Sequence, residues 1–372
     1  MPVPGGGGVN RLWQWWLALR SSLWFVPSLL VGAGVALAAA LIRVETLLPE
    51  TGIPRLARLL TNSAEGARAM LAAVAGSMIT VAGVVFSITM VTLSLASSQF
   101  SPRVLRGFMK DATNQVVLGV FVGIFAYCIV VLGAIRTDHV QFVPSLAVLV
   151  GAILSLVGIG FLIHFIHHTA LAIQATNIVA NVADETLEAV DRLFPRGAGG
   201  SEGPDVPATT LPDDWAPVAA ERTGYVQRID ADALLDLAAA HDVVVRSEVR
   251  VGEFVVAGGP LASVSGGSPC DDAFARALRR GYAIDRQRTV EQDPAWGIQQ
   301  IVDVAAKALS PGINDSTTAV TCVEYLVPIV SRLAQCRFPP AGRQRDGEVR
   351  LVLPGRGLDE LVALAFDEIR HW

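Results

Sequence analysis

At 372 residues, with 52% hydrophobic and 17% charged positions, the chain is too apolar for a disordered protein. Its formal net charge of −5 lacks the basic excess that nucleic-acid binding requires, so nucleic acid is not an expected partner. The charge is unevenly divided: residues 1–170 hold ten Lys or Arg against five Asp or Glu, a net of +5, and residues 171–372 hold nineteen against twenty-nine, a net of −10.

Four stretches carry no formal charge: residues 21–42, 69–102, 112–135 and 140–163. Each exceeds the roughly 20 residues that cross a hydrocarbon core about 30 Å thick. Four transmembrane helices are therefore expected before residue 170, with the lipid bilayer as partner. Arg11 and Arg20 precede the first stretch in the manner of a signal peptide. Its apolar run is longer than a signal core, and Arg43-Val-Glu-Thr-Leu-Leu-Pro offers no small-x-small cleavage site, so a retained helix is expected. Residues 43–69 are expected to form a short loop of mixed charge, with a small interfacial helix near 55–60.

The second stretch is the most informative. Ser77, Thr80, Ser87, Ser94 and Ser98 recur at steps of three, four or seven and share one helix face at about 100° per residue. A hydroxyl stripe inside a membrane needs partner helices or water against it. It reads either as the lining of a pore or polar pathway or as a packing face. Proline at Ser101-Pro102-Arg103 is expected to end the helix.

In the third stretch Gly119 and Gly123 form a GxxxG pair, which lets backbones approach closely. The fourth has no clear stop. Leu171, Ile178, Val182, Leu187 and Val190 continue at helical spacing to Pro195. Either one long helix from about 144 to 194 or a break near Thr169 is expected. His164, His167 and His168 stand at i, i+3, i+4 near the membrane boundary. A metal site or pH sensor is one reading. Polar rings at an interfacial helix end are the simpler one, and no metal or cofactor is expected.

Cys128, Cys270, Cys322 and Cys336 form no CxxC pair, so neither a zinc site nor a disulfide framework is expected. With the N-terminus inside, inner segments carry Arg11, Arg20, Arg103, Arg106, Lys110, Arg192 and Arg196; outer ones carry Arg43, Arg55, Arg58, Arg68 and Arg136. That bias and the free thiols favour a multi-pass protein of the bacterial inner membrane with both ends cytoplasmic.

The expected domains are a transmembrane domain at 1–194 with an extended fourth helix, a flexible Gly/Pro-rich linker at 195–221, and a cytoplasmic α+β domain at 222–372. In the last, strands are expected at 223–229, 243–249, 253–256, 261–264 and 348–353. Helices are expected at 231–240, from 271 or 272 to 280, and at 295–309, 316–334 and 358–369. Gly224–Asp230 with Val251–Val264 resembles a small lipoyl-type hammerhead, as a structural module only, because no lysine lies between positions 111 and 306.

The stretch from Asp285 to Ala319 runs a helix into a Ser310-Pro311-Gly312 turn and a second helix near Asn314-Asp315-Ser316. Arg288, Gln299, Asp303, Asn314 and Asp315 are candidates for holding an ion or small ligand: free N–H groups suit an anion, and the carboxylates suit a cation. The alternative is that Asp315 caps the helix and Asp303 pairs with Lys307. No nucleophile–base arrangement, Walker loop or metalloprotease motif is present, so an enzyme is not expected. This stretch, with Phe86-Ser-Ile-Thr-Met-Val-Thr-Leu-Ser-Leu-Ala-Ser-Ser-Gln-Phe-Ser-Pro-Arg103, resembles a bacterial predicted-membrane-protein family called domain of unknown function 2254. Ser316 departs from it where proline is expected. The resemblance implies four membrane helices and a soluble C-terminal domain, and no established activity.

Two functions follow as expectations. One is a homo-oligomeric, channel-like or ion-transport protein with a cytoplasmic regulatory domain. The other is a non-transporting, membrane-anchored sensor or scaffold that binds a ligand or partner through its cytoplasmic domain.

Overall fold

The computed structural model describes residues 24–47, 63–99, 112–136, 142–172, 174–195, 214–266 and 271–371. They form two compact units, Met1–Gln174 and Ala175–Trp372.

The first unit holds four helices long and apolar enough to cross a membrane: α1 (Phe25–Leu47), α2 (Ala64–Gln99), α3 (Ala112–Ala134) and α4 (Ser145–Ala172). The sequence places them, and their class, correctly. Helix α3 is central and packs against all three others. It is uncharged throughout and 44% buried over its span, against 11% for α1. The two glycines of its GxxxG pair explain the fit. A Cβ at Gly119 would lie 2.9 Å from the Pro27 Cα, and one at Gly123 would lie 3.0 Å from the Leu30 carbonyl oxygen, both on α1. From the other side, a Cβ at Gly34 of α1 would meet the Gly123 carbonyl oxygen at 2.5 Å. Backbone contact without side chains between is how membrane helices gain dispersion energy. Leu71, Phe121, Tyr127, Val131, Val148 and Phe165 fill the rest of the bundle core.

Two polar contacts tie this core together. The Tyr127 hydroxyl donates to the Ala147 carbonyl at 2.7 Å, fully buried. Glu45 is buried and lies within α1, because the helix runs past Arg43 to Leu47 where the sequence suggests a loop. Both of its carboxylate oxygens accept from the Leu146 N–H, at 3.0 and 3.2 Å. The first N–H groups of α4 have no partner within the helix, and Glu45 supplies the acceptor. The interfacial helix expected near 55–60 and the proline stop at 101–103 lie outside the described residues.

The fourth helix does not run on to 194. It ends at Ala172, the Gln174 N–H reaches back to the Leu171 carbonyl at 3.2 Å, and α5 starts at Ala175 and runs to Leu193. Helix α5 belongs with the C-terminal residues rather than with the membrane helices, so the division falls after Gln174 and not after 194. Its apolar face, Val179, Val182, Ala183, Thr186, Ala189 and Val190, is buried against helices of that unit.

The C-terminal unit combines two sheets with a helical layer. Trp215–Ala219 (β1), Val245–Ser247 (β3), Pro260–Ser265 (β5), Gly342–Arg345 (β7) and Glu348–Val352 (β8) form a five-stranded sheet in the order β1-β5-β3-β8-β7. All pairs in it are antiparallel except β3 with β8, where Val245 faces Leu351. Gly224–Ile229 (β2), Phe254–Val255 (β4) and Tyr282–Asp285 (β6) form a second sheet in the order β4-β2-β6. The segment 224–265 is thus shared between two sheets instead of closing as one hammerhead. Helices α6 (Ala231–Ala240) and α7 (Asp272–Arg280) begin at Asp230 and Asp271, whose carboxylates accept from Ala233 and Ala273 N–H groups as N-caps. Strands β1, β6 and β7 are additions to the expected set, and β1 falls inside the stretch expected to be linker. Residues 196–213 of that linker lie outside the described residues.

The helical layer is α8 (Pro294–Leu309), α9 (Ser316–Ala334) and α10 (Leu358–Arg370), with α5 against α8 and α9. Pro294 opens α8, a position where its missing N–H costs nothing.

Candidate functional site

On α2 the buried residues are Ala64, Ala67, Leu71, Ala75, Met78, Ala82, Val85 and Thr92. They follow steps of three, four and seven and form the face turned to α3 and α4. At about 100° per residue, the mean direction of Ser77, Thr80, Ser87 and Ser94 lies about 180° from that face. All four are exposed on the single chain. The Ser77 hydroxyl donates to the Val74 carbonyl oxygen at 2.9 Å, and Thr80 donates to that of Gly76 at 2.8 Å. These two hydroxyls use their own hydrogens within the helix. Gly76 and Gly83 lie beside them, and a Cβ at either would meet nothing within 4 Å. Val84, Ile88, Val91 and Leu95 border the stripe and are also exposed. Ser98 is in the last turn of α2, and its side chain lies outside the described residues.

Among the described residues, Ser77, Thr80, Ser87 and Ser94 are therefore not used for packing within the chain. Thr89 and Thr92, on other faces, are: Thr92 is buried, and the half-buried Thr89 donates to the Val85 carbonyl at 2.8 Å.

The five candidates in the C-terminal unit fall in three places. Arg288 donates from Nε (3.0 Å) and Nη2 (2.6 Å) to one oxygen of Asp293, and its guanidinium lies 4.4 Å from the centroid of the Trp296 ring. Gln299 donates to Asp303 at 3.0 Å along α8 and to Glu368 of α10 at 3.4 Å. Asp315 caps α9, accepting from the N–H of Thr318 at 3.1 Å and from its hydroxyl at 2.5 Å. Those bonds hold its carboxyl below the usual range. Asn314 sits beside it in the left-handed region, φ +52°, which asparagine tolerates. The turn before it closes on itself: the Asn314 N–H donates to Ser310 and the Asp315 N–H to Ala308. The structure does not gather these five side chains around one point.

Asp293, the partner of Arg288, is not among the residues the sequence singles out. This carboxylate is 4% exposed and holds the exit from β6 to the start of α8 through Arg288. Burial pushes its carboxyl up, against the pull of the Arg288 and Arg356 guanidiniums. Gly252, at φ +88°, passes so close to Asp293 that a side chain there has no room. Removing one partner of a buried pair leaves an uncompensated charge, at about 3–5 kcal/mol. Asp293→Ala should lower the unfolding free energy of the C-terminal unit by about 3 kcal/mol, measured by denaturant titration of the detergent-purified chain. Asp315→Ala, which removes a helix cap and strands no charge, should cost clearly less. Equal losses would show that Asp293 is not the stronger tie.

Cys322 and Cys336 are fully buried, and burial raises the Cys322 thiol to about 12, so it is inert at neutral pH.

The family described as "Predicted membrane protein (DUF2254)" matches residues 20–372. The chain belongs to this family. It is 36% identical over 366 residues to uncharacterized proteins of Mycobacterium tuberculosis and of Mycobacterium bovis, covering 95% of this chain and 68% of each relative. No solved structure matches it. Family and fold thus agree on a membrane protein with four candidate spans and a C-terminal α+β unit.

Proposed function

We propose that the protein is a homo-oligomeric, channel-like protein of the bacterial inner membrane. The α2 helices of several copies face a common axis, and the C-terminal unit is cytoplasmic and regulatory. The supporting observation is the direction of the hydroxyl stripe. Its described residues lie opposite the bundle core and are exposed, and Gly76 and Gly83 beside them leave room for a neighbour. A row of hydroxyls facing hydrocarbon gains nothing, whereas the same row facing water or another copy is solvated or packed. Arg43, Glu45, Glu65 and Arg68 stand at the ends of α1 and α2, and the middle of each span carries no formal charge. This fits a neutral polar path better than a proton-coupled carrier, which uses ionisable groups at depth.

Ser87→Leu should abolish conductance in reconstituted bilayers and leave thermal stability within about 0.5 kcal/mol, since the side chain is exposed on the chain. Unchanged conductance would end the pathway reading. So would a monomeric protein with α2 facing detergent, seen by electron microscopy. The sensor or scaffold reading stands behind it, because Arg288, Gln299–Asp303 and Asn314–Asp315 occupy separate places and converge on no common ligand position.

A further inference from the structure

The hydroxyls of Ser77 and Thr80 differ from free alcohols in what they can offer. A hydroxyl carries one hydrogen and two acceptor lone pairs. The Ser77 hydrogen goes to the Val74 carbonyl oxygen at 2.9 Å, and the Thr80 hydrogen goes to that of Gly76 at 2.8 Å. Back-bonding of this kind, to a carbonyl three or four residues earlier, is a standard habit of Ser and Thr within helices. Both side chains are nevertheless exposed on the chain, about 60° apart around α2. What they have left for anything beside them is lone pairs. The nearest formal charges on α2, Glu65 and Arg68, are exposed and of opposite sign, so they add no net charge to that end of the helix.

Resting on the reading of α2 as a pathway, we propose that the path passes small monovalent cations and rejects anions. A cation meets lone pairs and leaves both intrahelical bonds intact. Oxygen is the ligand that hard cations take in place of their water. Divalent ions part from their water reluctantly and are held by carboxylates, which the middle of α2 lacks. An anion needs hydrogens. To supply them, Ser77 and Thr80 must turn away from the Val74 and Gly76 carbonyls, and each broken bond lowers the population of that state by a factor of about three. The penalty falls on anions alone. Selection by sign thus comes from neutral side chains, through where their hydrogens are already spent.

The test is the reversal potential of the full chain, reconstituted in planar bilayers under a KCl gradient. A K+ to Cl− permeability ratio of about 10 is expected, from two bonds at a factor of about three each. Ser77→Ala combined with Thr80→Val leaves neither ion a ligand at these positions and should lower the ratio at least about threefold. Thr89→Val is the control. Thr89 makes the same kind of bond, to the Val85 carbonyl at 2.8 Å, but on another face and half-buried, so the ratio should not move. Absence of any conductance ends the pathway reading, and the selectivity goes with it. Conductance with a ratio of one or less overturns the selectivity and leaves the pathway standing. So does a ratio that the double variant does not change, or one that Thr89→Val lowers as much. The first measurement needs no variant, and a thermal melt of each variant separates a change in selection from a loss of fold.

Discussion

Replacing Gly297 by alanine should destabilise the C-terminal unit, although the same change in an open helix would stabilise it. Gly297 lies in α8, and a Cβ there would overlap the Thr186 hydroxyl of α5 and stand 2.9 Å from its Cβ. Thr186 cannot step aside. It is fully buried, and its hydroxyl donates to the Val182 carbonyl at 2.6 Å. Alanine gains about 1 kcal/mol over glycine from helix propensity. Overpacking a tight core costs about 1–3 kcal/mol and occasionally more. Here the clash is with a β-branched side chain locked on its own helix, so the clash should win, with a net loss of about 2 kcal/mol by denaturant titration. Thr186→Ala combined with Gly297→Ala should recover part of it, because the overlapping hydroxyl is gone. A non-additive cycle would place the effect at the α5–α8 contact. A neutral or stabilising Gly297→Ala would mean that the helices part without cost.

That contact marks what the sequence does and does not disclose. The four spans are legible because an uncharged run of this length matches the thickness of a hydrocarbon core and exceeds what a buried helix of a soluble domain needs. Helices α6, α7, α9 and α10 are legible from apolar spacing, and Asp230, Asp271 and Asp315 cap the first three, which for Asp315 is the alternative to a ligand role. The break between α4 and α5 is only half legible. Apolar spacing continues through Leu171 to Val190 without a glycine or proline to stop it, and only the structure shows that the α5 part of that stripe is used against α8 and α9. Strands β1, β6 and β7 escape for a different reason. Gly342-Arg-Gln-Arg has no apolar alternation, and its strand state comes from pairing with β8.

The site follows the same division. Helical periodicity is enough to put Ser77, Thr80, Ser87 and Ser94 on one face, but whether that face is buried depends on where α3 and α4 pack. Glu45 is invisible as a buried acceptor because its partner, the Leu146 N–H, is 101 residues away. The Arg288–Asp293 pair is nearer to hand. A carboxylate directly before Pro294, five residues after an arginine, is a signal that local reading can use.

Gly34→Ala should have the largest effect in the membrane unit. The added Cβ would stand 2.5 Å from the Gly123 carbonyl oxygen and 3.2 Å from its carbon. Both are backbone atoms of α3, so no rotamer change relieves the contact; α1 must move away from α3 along its length. In hydrocarbon, close packing supplies much of the attraction between helices, and separation gives it up over many residues at once. A loss of about 2–3 kcal/mol is expected, at the upper part of the overpacking range, read as a fall in the thermal midpoint of the chain in detergent. Gly32→Ala, two residues away on α1, is the control: nothing lies within 4 Å of a Cβ there. It should leave the midpoint in place. Gly119→Ala should fall between the two, since its contacts are the movable Leu30 side chain and the fixed Pro27 Cα. If Gly32 and Gly34 variants melt alike, α1 is not held on α3 by backbone contact. The ranking Gly34, Gly119, Gly32 would show that the GxxxG pair of α3 works together with a glycine on the facing helix, and that α1 is an integral member of the bundle.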